Sequence, residues 1–227
     1  MIRFLSFLGW LALSSFTTAS AASLSVSPIL LRVVTPGKQT ILTVNNLARR
    51  QVTVQLRVFK WVLRDGKDYF LNTRDVIVSP PIARLRSNGS LQVRILCTSS
   101  QPVVGEETYR VIVDEVPDAN RVRNVGVNLA LRYTLPLFFL NPSARQPRLT
   151  WSVRGSGKRR QLLVQNNGDV HVRLAALAIG NFQISKGLAG YALGRSVRIF
   201  DLPPRAPSSG RVTAITGQGK LSAAVRR

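Results

Sequence analysis

The sequence predicts an all-β protein built as two antiparallel β-sandwiches. Three observations predict it. Short runs of alternating apolar residues recur along the chain, turn residues separate them, and one strand–turn–strand pattern occurs twice. Apolar alternation appears in Leu24, Val26, Pro28, Leu30, then from Ile41 to Val44, and in Val52, Val54, Leu56, Val58. It returns in Leu91, Val93, Ile95 and in Tyr109, Val111, Val113. Between these runs stand Pro36-Gly37, Asn45-Asn46, Asp65-Gly66, Pro80-Pro81, Asn88-Gly89 and Pro117-Asp118, all residue pairs that favour turns.

The first element lies outside the fold. Met1 to Arg3 is a short positive start, Phe4 to Leu13 is almost all apolar, and Ala19-Ser20-Ala21 is an A-x-A cleavage site. Residues 1–21 are therefore expected to be a secretory signal peptide, too short and wrongly flanked for a membrane anchor. No second apolar run approaches 18 residues, so the exported chain is expected to be soluble, without membrane insertion.

The longest alternation runs from Val125 to Leu137. Its odd positions are Val125, Val127, Leu129, Leu131, Tyr133, Leu135 and Leu137, and its even positions are mostly small or polar. This is a strand with one apolar face, about twice the usual ~5–6 residues. Either its own domain buries all of that face, or part of it is left for another chain.

An internal echo divides the chain. Residues 40–46 (Thr-Ile-Leu-Thr-Val-Asn-Asn) precede the alternating residues 51–54, and 161–167 (Gln-Leu-Leu-Val-Gln-Asn-Asn) precede Val170-His171-Val172. A hairpin repeated at that distance predicts two sandwiches. Their expected limits are 22–142 and 148–227, with 143–147 as linker. Leu174 to Ile179 is the best helix candidate, although its flanks read as strands.

Composition restricts the chemistry. The chain carries 32 Lys and Arg against 10 Asp and Glu, a net charge of +22. Such an excess favours anionic partners. The basic residues are scattered, however, and few aromatics stand among them, so no stacking platform for nucleic acid is expected. Cys97 is the one cysteine, which excludes an internal disulfide. His171 is the one histidine, and a catalytic triad or imidazole metal site would have to be built on it alone. Glu106 and Glu107 are adjacent, so on a strand they face opposite ways and form no acid/base pair. Gly155-Ser156-Gly157-Lys158 lacks the spacing of a phosphate loop and reads as a hairpin turn. Neither enzymatic activity nor a cofactor nor a metal is expected.

Recognition of another protein remains, and here the chain resembles a known family. The features, in order, are Ser27-Pro28 with Arg32, Val44-Asn45-Asn46, Trp61, the segment 80–85 (Pro-Pro-Ile-Ala-Arg-Leu) and Gln92 to Ile95. They continue with Glu107 to Val111, Glu115-Val116-Pro117 and Ala130 to Phe138. In this order and spacing they resemble the PapD-like periplasmic pilus-assembly chaperones. The Arg-Tyr-x-Leu-Pro-Leu-Phe ending is similar to the archaic branch of the chaperone–usher systems.

The resemblance implies two immunoglobulin-like domains in an L or boomerang, a periplasmic location, and a function. The chaperone would bind pilin or fimbrial subunits by donor-strand complementation and deliver them to an outer-membrane usher. The donor residues implied are Val125, Val127, Leu129 and Leu131. A cationic pair in the interdomain cleft would grip the subunit's terminal carboxylate. Arg32 matches its first member. The second, a lysine in the family, falls on Pro136 here, and Arg132 on the same face is the substitute expected. Glu107 matches an interdomain acid, whose usual partners fall on Leu140 and near Gly217. Self-association of the subunit-free chain stays open. The competing expectation is a basic exported envelope protein that binds polyanions such as lipopolysaccharide or nucleic acid, and a third is a structural surface subunit.

Overall fold

The computed structural model describes residues 24–117 and 130–226. Their strands are β1 (Leu24–Ser27), β2 (Leu31–Val34), β3 (Gln39–Asn46), β4 (Val52–Arg64), β5 (Lys67–Asn72) and β6 (Val76–Ser79). Then come β7 (Ile82–Leu85), β8 (Ser90–Cys97), β9 (Glu106–Val116) and β10 (Arg132–Leu140). A second set comprises β11 (Leu149–Arg154), β12 (Gln161–Asn166), β13 (Val172–Ile179) and β14 (Phe182–Gln183). It ends with β15 (Leu188–Ala192), β16 (Ser196–Asp201), β17 (Arg211–Thr216) and β18 (Gly219–Arg226).

The first set forms two sheets, one in the order β1-β3-β8-β6 and one in the order β2-β10-β9-β4-β5, with β7 added to β4. Their inner faces share one core. Leu42, Val44, Val54, Leu56, Val93, Ile95, Val111, Val113 and Leu137 are all buried in it, at the alternate positions that the pleat turns inward. The second set is linked in the order β14-β13-β17-β18-β11-β12-β16, with β15 on β13, around its own core of Trp151, Leu162, Val164, Leu174, Leu177 and Val212.

Turn chemistry acts where the sequence places it. Asp65 and Gly66 both adopt positive φ, 49° and 74°, in a two-residue turn between Arg64 and Lys67, which pair across the β4–β5 hairpin. Asn88 also has positive φ, at 54°.

Three elements differ from expectation. The first alternation is broken at Pro28: β1 pairs β3 in one sheet, and β2 pairs β10 in the other. Proline has no N–H for a ladder, so the chain changes sheet there. The repeated pattern is not a hairpin. β3 and β4 lie in different sheets, and the asparagine redirects the chain across the layers. Asn46 Nδ2 donates to Arg50 O at 2.7 Å, while its Oδ1 accepts from Ala48 N at 3.0 Å. Asn166 repeats the arrangement with Val170 O at 2.8 Å and Gly168 N at 3.0 Å. Both are buried, and each also ties its loop to another stretch of chain, Asn46 Nδ2 to Arg86 O at 2.8 Å and Asn166 Nδ2 to Ala192 O at 3.2 Å.

The helix candidate is strand β13. Its register on β15 slips between Leu174 and Ala175, and on β17 between Ala175 and Ala178, with Ala176 at φ 48°. A bulge inserts an extra residue, so the buried positions become Leu174, Leu177 and Ile179. The bulge breaks the strict alternation, and the Ala/Leu-rich composition of Leu174 to Ile179 is what resembles a helix.

Candidate functional site

The long alternating segment is described only in its second half, where β10 begins at Arg132 and continues to Leu140. It pairs β9 over this whole length, from Arg132 opposite Asp114 to Leu140 opposite Glu106. On its other side β2 pairs it only from Leu137 to Leu140. Residues 132–136 thus have an edge that no strand pairs among the described residues. An unpaired strand edge presents N–H and C=O groups ready for another chain. The inner side chains of this stretch stay at home. Leu135 is buried, and the Tyr133 hydroxyl donates to Leu24 O at 2.6 Å.

The other end of β10 lies under the second domain. Phe138 is fully buried and stacked on the His171 imidazole, with centroids 3.6 Å apart and planes 9° from parallel. Trp61, Tyr191 and Leu193 complete this apolar contact, Tyr191 meeting Trp61 edge-on at 5.2 Å. The Arg110 guanidinium lies 3.6 Å above the Trp61 ring and 5.2 Å from the Tyr191 ring. Burial lowers its pKa, and a desolvated cation over indole is the favourable case of this interaction.

Polar contacts lock the same junction. Glu106, with a fully buried side chain, accepts a 2.8 Å bond from the His171 backbone N. His171 Nδ1 lies 2.9 Å from both carboxylate oxygens and, facing acceptors, carries its proton there. Arg198 pairs Asp68 at 2.7 Å, and Ile199 N donates to Gly66 O at 3.3 Å. A Cβ on Gly66 would stand 2.2 Å from Ile199 Cγ1, so the hairpin tip fits only as glycine. At the linker, Asp169 accepts from Arg145 and Arg195. These bonds hold its carboxyl well below the usual carboxylate range.

Beside this junction is a cleft of about 320 Å³ between the domains. Arg32 lines it from β2, where it is the register partner of Phe138, and Arg173 lines it from β13. Both are exposed, and neither forms an ion pair among the described residues. Two guanidiniums from different domains therefore face one cavity without a counter-charge. Leu30 and Tyr191 supply apolar wall next to them.

The candidate residues fall as follows. Arg32 lines the cleft. Arg132 does not: six positions before Phe138 it is on the order of 20 Å away along the strand, and its guanidinium is bound to Asp114 on the neighbouring β9. Burial works against the Asp114 charge, yet hydrogen bonds from Arg132 and Arg57 hold its pKa low. Glu107 is not the interdomain acid. It accepts from the Tyr109 hydroxyl at 2.5 Å and lies 3.1 Å from Lys60 Nζ, all within its own domain. Burial, and then Glu107, raise the Tyr109 pKa. The neighbouring Glu106, pointing to the opposite face, takes the interdomain role. Val125, Val127 and Leu129 lie outside the described residues. Leu131 is half-buried against the N-terminal core, and its carbonyl accepts from Glu115 N at 2.8 Å. Among the described residues no group of three or more His, Cys, Asp or Glu is placed to hold a metal.

Two sandwiches, an edge strand left partly open and a basic cleft at its foot define a two-domain assembly chaperone. The chain belongs to the pili and flagellar-assembly chaperones: the family model of the PapD N-terminal domain matches residues 23–145. Among solved structures, it is similar to a chain of the CsuC–CsuE chaperone–tip adhesion subunit pre-assembly complex from the archaic chaperone-usher Csu pili of Acinetobacter baumannii. The two share 25% identity and a TM-score of 0.75 over 90% of this chain and 98% of that one. The fold is also similar to that in the Salmonella enterica SafA pilin–SafB chaperone complex, at 20% identity and TM-score 0.68, covering 91% of this chain and 98% of that one. The E. coli chaperone DraB is similar at 22% identity and TM-score 0.66, covering 90% and 97%. No curated protein sequence matches the chain.

Proposed function

We propose that this chaperone captures pilin-like subunits by lending them its strand β10 together with the residues before it, and passes them to an outer-membrane usher. The observation that carries this reading is positional. The unpaired edge of residues 132–136 leads directly to Phe138, whose register partner Arg32 lines the cationic cleft. A subunit strand laid along that edge would end at the cleft, where its terminal carboxylate meets Arg32. Arg173 takes the place assigned to Arg132 as the second cation. Guanidinium forks bind carboxylate through two parallel bonds and so fix register as well as charge.

The apolar residues preceding β10, Val125, Val127, Leu129 and Leu131, would fill the subunit's open groove. Burying each contributes roughly 1.5–3 kcal/mol before ordering costs. Residues 1–21 would be removed on export, leaving domains at 22–142 and 148–227 joined by 143–147. Leu129→Arg is the direct test: it abolishes co-purification of the cognate subunit while the chaperone remains folded. Retained capture would remove strand lending as the mechanism.

A further inference from the structure

Six cations of the C-terminal domain, from separate stretches of chain, meet at one end of it. Its strands run between two poles. One pole holds Val172, Tyr191 and the turn from Thr216 to Gly219, beside the cleft. At the opposite pole, three separate stretches of chain meet. Arg154 pairs with Gln161 across the β11–β12 hairpin, and Gln161 pairs with Asp201 at the end of β16. Leu202 N then donates to Arg160 O, and Gly180 N donates to Arg211 O at the start of β17. Arg160 Nη1 ties the hairpin to the loop after β16 by a 2.6 Å bond to Ala206 O.

Topology thus brings Arg154, Lys158, Arg159, Arg160, Arg205 and Arg211 to one end from positions far apart in sequence. All but Arg160 are exposed, and none of the six forms an ion pair among the described residues. Asp201, the acid at this pole, accepts from Gln161 instead. Like charges so placed repel one another. Arg160 bonds loop carbonyls, Arg154 Nε donates to Gln161 Oε1 and Arg211 Nε to Ser222 Oγ, each at 3.1 Å, but none of these neutral acceptors offsets the charge.

We propose that this pole docks on an anionic phospholipid bilayer and holds the chaperone at a membrane surface, with the subunit cleft at the far end of the domain. The chemistry favours a bilayer over other polyanions. The pole is made of loop tips, with Gly155 and Gly157 at positive φ in the hairpin, and separate tips engage a plane of phosphates simultaneously. The rings near this pole, Phe182 and Phe200, are half-buried, and each has an arginine over it, Arg205 at 5.7 Å and Arg198 at 5.9 Å, so neither stands free to stack on a base. The exposed side chains at the tips are basic, serine or proline (Pro203, Pro204), with no large apolar group to insert, so the contact is peripheral and governed by charge.

The test is co-sedimentation of the exported chain with vesicles containing about 30% phosphatidylglycerol in phosphatidylcholine. The protein binds these vesicles, ignores pure phosphatidylcholine, and is released at ~0.5 M salt. The variant R154Q/K158Q/R159Q/R205Q/R211Q loses about five-fold in partition per charge removed. It still captures pilin subunits, so this outcome is independent of the proposed chaperone mechanism. Lys158→Gln and Arg159→Gln, on the exposed hairpin tip, each cost a few-fold without touching the core. The control R49Q/R74Q/R84Q/R86Q/R94Q removes equal charge from the N-terminal domain and keeps most of the binding. Equal loss in both multiple variants, no binding by the parent, or tighter binding to duplex DNA than to vesicles at the same salt would overturn the proposal.

Discussion

Glu106 on β9 and His171 before β13 are joined twice, once through the His171 backbone N at 2.8 Å and once through Nδ1 at 2.9 Å. The pair closes the junction between the domains, and Phe138 stacks on the same imidazole. Removing the carboxylate leaves a partly buried N–H without its acceptor, which costs about 1 kcal/mol. Glu106→Ala should therefore uncouple the two domains, seen as two separate transitions in calorimetry. Glu107→Ala should instead lower the transition of the N-terminal domain alone, because it strips the acceptor from the Tyr109 hydroxyl. A single unchanged transition in Glu106→Ala would show that the junction does not depend on this bond.

Phe138 and Gly66 test the apolar half of the same junction. Phe138→Ala empties a fully buried ring site and should cost about 3–5 kcal/mol. Gly66→Ala drives a methyl into Ile199, so it should loosen the hairpin tip from the second domain. Limited proteolysis should then cut the 141–148 connection faster. Cleavage at the parental rate would place the domain contact elsewhere.

Stability should fall in acid through Asp169. Arg145 and Arg195 depress its pKa in the folded chain. A depressed carboxylate contributes stability that is present above its unfolded pKa and is lost as pH falls through the folded one. The gap in melting temperature between the parent and Asp169→Asn should be constant near neutrality and shrink below about pH 4. A gap that persists undiminished into strong acid would remove the linker ion pairs from the account.

Subunit capture should depend on Arg32 and Arg173 together. Arg32→Ala or Arg173→Ala should weaken capture about ten-fold or more, the worth of a charge-assisted bidentate contact, whereas Arg132→Ala should change it little. A subunit with an amidated C-terminus should bind the parent and both cleft variants alike. Equal effects of Arg132→Ala and Arg173→Ala would mean that the cleft does not hold the carboxylate.

The β architecture was legible because one face of most strands is buried and the other wet, as in Val52, Val54 and Leu56. It became illegible where that condition failed. Phe138, Phe139 and Leu140 are all buried because a second domain covers the outer face, so the alternation stops before the strand does. The Ala/Leu-rich run from Leu174 to Ile179 hid a strand whose alternation a bulge breaks. Arg32 was found through a resemblance carried by neighbouring residues. Arg173 reaches the cleft from the other domain, and no local pattern records such a meeting. Glu106 and Glu107 look alike in sequence, and the direction of the pleat alone separates the interdomain acid from its neighbour.

Hydrogen exchange on residues 130–136, with and without a bound subunit, tests strand lending most directly. In the free chaperone, amides there that face away from β9 should exchange rapidly, and on capture they should become protected together as a new ladder forms. Protection confined to the cleft around Arg32, with residues 130–136 exchanging as before, would contradict the account.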